Sequence, residues 1–284
     1  MTPIGTSRLH KAQMWQWAFM AALLLVFSIP RSWAGDDNEE CHHGSPSYLK
    51  LSETDPTNLA KACRRLADQG NADAENSLGS MYRAGLGVPK DYIQAMEWYR
   101  KAADQGSASG ENNIGVLFHD THDDAEAAKW FRKSAEHGSP LGQFNLGAMY
   151  NAGQGVGQDY AEAARWYGKA ANQGFSEAEY NLGDAYYAGQ GVPQSYSEAA
   201  KWFRKAADQG HVQAQLVLGT LYRNGQGVPM DYVHAYMWLD LAASHKGVET
   251  SQRDELAATM APPQIEQARA LVAAWKPTPQ YIPH

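Results

Sequence analysis

A period of 36 residues governs this chain. Phe175–Gly210 reads FSEAEYNLGDAYYAGQGVPQSYSEAAKWFRKAADQG, and Ser139–Gly174 and Asn71–Gly106 repeat it at the same length with the same landmarks. His211–Lys246 is a further copy ending LAASHK, and Ser107–Gly138 is a copy shortened by four residues. A fixed period of this size marks a small unit that cannot bury its apolar face alone, so successive units must stack.

The columns of the alignment say what each unit is. Ala178, Leu182 and Tyr186 fall four apart and share one side of a helix; Ala199, Trp202, Phe203 and Ala206 do the same further on. Between them Gly189-Gln190-Gly191-Val192-Pro193 is loop chemistry, since proline cannot continue a helix and glycine tolerates positive φ. The expected unit is therefore two short helices joined by a tight turn and running antiparallel. Gly183 recurs as Gly79, Gly115, Gly147 and Gly219 inside the first helix, where glycine costs about 1 kcal/mol against alanine. A facing helix too close to admit a Cβ would compensate. Paired alanines such as Ala206-Ala207 fit helix crossings, and one tryptophan per unit (Trp98, Trp130, Trp166, Trp202, Trp238) is expected to fill the wider gap as core.

These columns combine into A-x-x-x-L-G-x-x-Y-x-x-G-x-G-V-x-x-D-Y-x-x-A-x-x-W-x-x-x-A-A-x-x-G, a pattern that resembles the Sel1-like repeat family, relatives of tetratricopeptide repeats, over Asn71–Lys246. The resemblance implies an all-α, right-handed solenoid of five repeats (71–106, 107–138, 139–174, 175–210, 211–246) that binds other proteins. It implies no reaction.

Residues 1–34 read as a secretory signal. Arg8 and Lys11 precede Ala18–Ile29, an apolar run of 12, and Ser32-Trp33-Ala34 supplies small residues for cleavage after Ala34. The run is shorter than the roughly 20 residues of a membrane span, so no stable insertion is expected once it is removed. Its loss takes away three basic residues and no acidic one, moving the formal net charge from −7 to −10. A solenoid that acidic, with its aromatics at core columns, is a poor nucleic-acid binder.

Residues 35–70 hold both cysteines. Cys41 and Cys63, 22 residues apart in a chain read as exported, are expected to form a disulfide that pins this segment onto the first repeat, with free thiols or metal binding as alternatives. Asp55-Pro56-Thr57 opens a helix over Asn58–Gly70 that matches the second helix of a zeroth unit, as a cap. After Lys246 the period is lost, and Glu249–Met260 and Pro263–Lys276 read as helices covering the last repeat, before a loose tail from Pro277 to His284. The R-D-E-L-A and M-x-P-x-Q-I stretches here resemble the ends of many bacterial Sel1-like proteins, which implies a periplasmic home.

Chemical signatures are scarce. Ser47-Tyr48-Leu49-Lys50 fits S-x-x-K, yet no S-D-N or K-T-G accompanies it. Some cysteine-rich Sel1-like proteins are linked to β-lactam binding; the cysteine pair that they carry in each repeat is missing here, which weakens a hydrolase reading. In the shortened unit, His119 and His122 stand among aspartates, and His42-His43 follows Cys41. Either group could hold a metal, although a polar turn with Asp123 capping the next helix explains the first. No cofactor is expected.

What remains is surface. Core columns stay uniform between copies while others vary. By analogy with tetratricopeptide arrays, the varying positions of the first helices line a groove: Phe144, Ala148, Asn151, Tyr180, Asp184, Tyr187, Leu216, Thr220 and Arg223, with Asn76, Ser80 and Arg83 near its start. The expected function is an exported, periplasmic adaptor or regulator that grips a protein or peptide. The alternatives are a secreted factor acting on host cells and, more remotely, a cell-wall or β-lactam hydrolase. Oligomeric state is left open.

Overall fold

The computed structural model describes Cys41 and residues 55–278, so the leader, His42, His43 and Ser47 lie outside the described residues. Those residues form thirteen helices and no strand. A single helix, α1 (Pro56–Ala67), precedes five pairs: α2 (Ala72–Ala84) with α3 (Tyr92–Asp104), α4 (Ala108–Asp120) with α5 (Asp124–Glu136), α6 (Pro140–Ala152) with α7 (Tyr160–Ala171), α8 (Ser176–Ala188) with α9 (Tyr196–Asp208), and α10 (Val212–Asn224) with α11 (Tyr232–Ala243). Two more, α12 (Ser251–Ala257) and α13 (Pro262–Ala274), close the stack. Each pair packs internally and then onto its neighbours in sequence, which makes the molecule an all-α solenoid.

The same local chemistry sets each helix. Asp91, Asp159 and Asp231 accept backbone N–H groups in the first turns of α3, α7 and α11, while Asn71, Ser107 and Ser139 do so for α2, α4 and α6. Each such cap contributes on the order of 1 kcal/mol. Asp55 caps α1 through the Thr57 amide, with Pro56 at the first helical position.

Within a pair, the recurrent glycine meets the ring beside the recurrent tryptophan. A Cβ at Gly79 would lie 2.6 Å from the Tyr99 ring, at Gly115 2.7 Å from Phe131, at Gly147 2.9 Å from Tyr167, at Gly183 2.8 Å from Phe203, and at Gly219 2.8 Å from Leu239. The missing side chain is thus the seat of a buried ring or isobutyl group from the second helix. Alanines at the crossing, such as Ala102, Ala170, Ala206 and Ala242, are buried alongside.

Between pairs, the loop glycine does a second job. Gly155, at φ +63°, would drive a Cβ to 2.0 Å from the Asp124 carbonyl, and Gly191 stands likewise against Tyr160. The loop of one unit therefore lies directly on the second helix of the unit before. The shortened unit lacks this loop and turns instead at His122, whose φ is +63°. The start of α3 is left uncovered, with Tyr92 44% and Ile93 73% exposed.

Both ends of the stack are covered. Cys41 and Cys63 are bonded and buried, and the Cys41 carbonyl accepts the Ser77 hydroxyl of α2 at 2.9 Å, so Cys41 is held on α1 and on the first pair. At the other end Leu256 and Ala268 are buried against α11, and Trp275 meets Trp238 edge-on at 6.4 Å. The Thr278 amide donates to the Asp208 carbonyl, tying down the start of the tail.

The tryptophan column is not uniform. Trp98, Trp166 and Trp238 are buried, whereas Trp130 and Trp202 are half-exposed, because their neighbours across the joint differ. Truncating Trp166 to alanine should cost about 3–5 kcal/mol in denaturant unfolding, and Trp202→Ala clearly less. Gly79→Ala gains helix propensity but collides with Tyr99, so a net loss of about 1–2 kcal/mol is expected in the same measurement; stabilisation would show that the ring can move aside.

Candidate partner-binding face

The varying positions on the first helices fall in three columns, and the structure treats them differently. The column of Asn76, Asn112, Phe144, Tyr180 and Leu216 faces the next repeat. Asn113 donates to Asn76 at 2.7 Å, and Asn145 to Asn112 at 2.8 Å. From the third repeat onward the amides give way to rings and aliphatics. Phe144, 7% exposed, packs on Tyr167 and Phe175; Tyr180 sits on Phe203 and stacks on His211 at 4.8 Å. Leu216 is half-buried against the cluster of α11 and the closing helices.

Asn76, Phe144 and Ala148 are accordingly buried and do not belong to an open wall, contrary to the expectation from their variability. Asn76 and Phe144 vary because their neighbours across the joint, Asn113 and Phe175, vary with them. Tyr180 and Leu216 are half-buried for the same reason and present little free surface.

The second column is partly open. The Ser80 hydroxyl donates to the Asn76 carbonyl at 3.1 Å and accepts from Tyr99 at 3.1 Å. Asp184 is exposed. Thr220 donates to the Leu216 carbonyl and lies 3.3 Å from Gln252 of α12.

The third column is the accessible one. Arg83, His119, Asn151, Tyr187 and Arg223 stand at one position of five successive first helices, all half-exposed. Arg83 approaches Asp120 at 3.5 Å, a surface pair of small energetic weight. Tyr187 leans on Tyr196 at 5.2 Å, while Arg223 has no side-chain partner among the described residues. His119 completes this column, since the 36-residue alignment puts it at the same position of the shortened repeat. Its Nδ1 lies 2.7 Å from Asp124, and Asp123 caps α5 through the Glu126 amide. Among the described residues no group of three His, Cys, Asp or Glu side chains is placed to hold a metal ion.

A second set of polar contacts is centred on a buried Glu or Gln of the first helix in each of the first four pairs. Gln105 donates to Glu75 at 2.6 Å, Gln173 to Gln143 at 2.9 Å and Gln209 to Glu179 at 2.7 Å, while His137 and Lys133 both reach Glu111. Burial raises the pKa of Glu75 and pushes Glu179 up to about 7. The same effect drives His211 down to about 4, consistent with its Nδ1 accepting from the Ala214 amide, which requires a neutral ring. These groups join the two helices within each of those repeats.

The Sel1 repeat family model matches residues 72–107, 114–139, 140–175, 176–211 and 212–246. A Sel1 repeat protein from Oxalobacter formigenes is similar in structure, with 27% identity, a TM-score of 0.62, and coverage of 78% of this chain and 94% of that one. A Pseudomonas aeruginosa protein, PA5086, shares the fold at 19% identity and a TM-score of 0.51, over 75% and 83% of the two chains. A protective antigen of uropathogenic Escherichia coli with an SLR fold aligns at 29% identity and a TM-score of 0.48, over 78% of this chain and 56% of that one. No curated protein sequence matches.

The Glu179 pKa generates a prediction with a definite sign. Because the folded value of about 7 lies above the usual 4.5, the stabilising contribution is whole below pH 4.5 and is lost as pH rises through 7. His211 acts oppositely, its contribution being lost as pH falls from 6.5 toward 4. Glu179→Gln keeps the bond to Gln209, as the Gln143–Gln173 pair shows. It should add on the order of 1–2 kcal/mol at pH 8 and almost nothing near pH 4.5, read from melting curves at both values.

Proposed function

We propose, because this chain belongs to the Sel1 repeat family of protein-binding helical solenoids, that it is an exported adaptor which holds a protein or peptide segment along its first-helix face. The observation that carries this reading is the accessible column of Arg83, His119, Asn151, Tyr187 and Arg223. Repetition places these five side chains, of four kinds, on one line of the stack, while the core columns beneath them repeat for packing. A row of individual residues on a uniform scaffold suits recognition of an extended polypeptide, with Tyr187 and Arg223 as the residue types that dominate interface energies.

Export is supported by the Cys41–Cys63 disulfide, which persists in oxidising compartments, and by the leader-like sequence of residues 1–34. Among the described residues, no helix is long and apolar enough to cross a membrane. A periplasmic adaptor accommodates all of these features without a catalytic step.

The test is a photo-crosslinking amino acid at position 187 or 151, compared with one at Lys201 on a second helix, in a native periplasmic extract. A discrete polypeptide joined to 187 and 151 but not to 201 is expected. Tyr187→Ala and Arg223→Ala should shift the melting temperature by no more than about 2 °C, since neither is core, while reducing that product severalfold. Unfolding of either variant, or equal crosslinking at 201, would sink the assignment of this face.

A further inference from the structure

The joints between units carry an arginine clamp. Arg64 of α1 hydrogen-bonds the Tyr82 hydroxyl of the next unit, its guanidinium 5.8 Å from the Tyr82 ring and 5.0 Å from Trp98. Arg204 does the same with Tyr222 and Trp238, at 5.3 and 5.4 Å, and Arg132 holds Tyr150, 5.7 Å from its ring. Three joints thus place a planar cation on a phenol, and at two of them it also faces an indole.

At the joint between the third and fourth pairs the arginine position is Gly168, while Tyr186 and Trp202 remain. A Cβ at Gly168 would meet nothing nearer than Leu182, 3.9 Å away. A hollow of about 400 Å³ lies there, lined by Gly168, Leu182, Tyr186, Val192 and Trp202. The Tyr186 hydroxyl has no partner among the described residues. Trp202, unlike Trp98 and Trp238, is half-exposed.

We infer that this hollow is a binding slot for an arginine side chain of a partner polypeptide, which supplies the guanidinium that the chain itself provides at the equivalent joints. The chain's own sites dictate the ligand. Arginine fills every complete clamp, since a planar fork can stack on rings and donate to the phenol at once, which an ammonium cannot. The joint between the first and second pairs confirms the need for the hydroxyl: Phe118 replaces the tyrosine there, and Arg100 is exposed.

The basic neighbours do not forbid a cation. Arg165 and Lys169 flank Gly168 at the positions that Lys201 and Lys205 hold beside Arg204. Arg165 is moreover paired with Glu162 at 2.6 Å, and Lys169 lies over Trp166. Lys205 sits 4.0 Å from the Trp202 centroid, just as Lys101 sits 3.7 Å from Trp98, a ring that carries Arg64 as well. The acidic balance of the whole chain, −7, favours approach of a basic segment.

Neither Tyr187 nor Arg223 lines the slot, so the two can be tested apart. The purified chain, 15N-labelled at tryptophan, is titrated with N-acetyl-arginine methylamide and, in parallel, with the lysine analogue. The Trp202 indole signal, assigned with Trp202→Phe, should shift saturably with the arginine probe and at least about tenfold more weakly with the lysine probe. Tyr186→Phe should weaken binding about tenfold, the usual worth of a hydrogen bond to a charged group. Gly168→Arg should abolish the response and raise the melting temperature by about 2–4 °C, by completing the clamp internally. Tyr187→Ala and Arg223→Ala should leave the response intact. No saturable shift, an equal response to lysine, or unchanged binding in both Tyr186→Phe and Gly168→Arg would overturn the slot.

Discussion

The structure depends on the contact between a mid-helix glycine and the side chain facing it. Glycine weakens an isolated helix, yet at Gly79, Gly115, Gly147, Gly183 and Gly219 the absence of a Cβ lets the second helix seat Tyr99, Phe131, Tyr167, Phe203 or Leu239 against bare backbone. That sets the separation within every pair. Once it is fixed, the alanines at the crossing and the tryptophan beside the ring have only one way to pack, and five copies produce five nearly identical bricks.

Bricks become a rod through contacts of a different kind. The loop glycine of one unit lies on the opening turn of the second helix before it, an arginine clamps the tyrosine of the following unit, and side chains in the Asn76 column meet across the joint. These joints differ from one another. Two are bridged by amide pairs and later ones by rings; one lacks its loop, one lacks its phenol, and one lacks its guanidinium. Function in such an array resides in departures from the repeat, because an identical unit carries no information about a partner.

Much of this was legible in the sequence. The period, the two helices per unit, the turn glycines and a steric reason for the mid-helix glycine all follow from spacing, since each concerns groups a few residues apart or in one repeated pair. The candidate groove was legible only in part. Asn76, Phe144 and Ala148 vary between copies as surface residues do, but they are buried, and Asn76 and Phe144 are matched to Asn113 and Phe175 one unit away. Variation at a joint reflects complementarity, and a single alignment column cannot distinguish that from exposure. The half-exposure of Trp202 escaped notice likewise, because it results from a glycine in the preceding unit.

The sequence alone therefore determined the brick, because the distances that matter within it are local and repeated. Its two cysteines made a disulfide the expected state, and the structure joins Cys41 to Cys63. Only the tertiary structure decided which varying residues reach solvent, where a clamp stands incomplete, and which of three columns stays accessible. The physical reason is that burial at a joint is a property of two units together, and no side chain carries it alone.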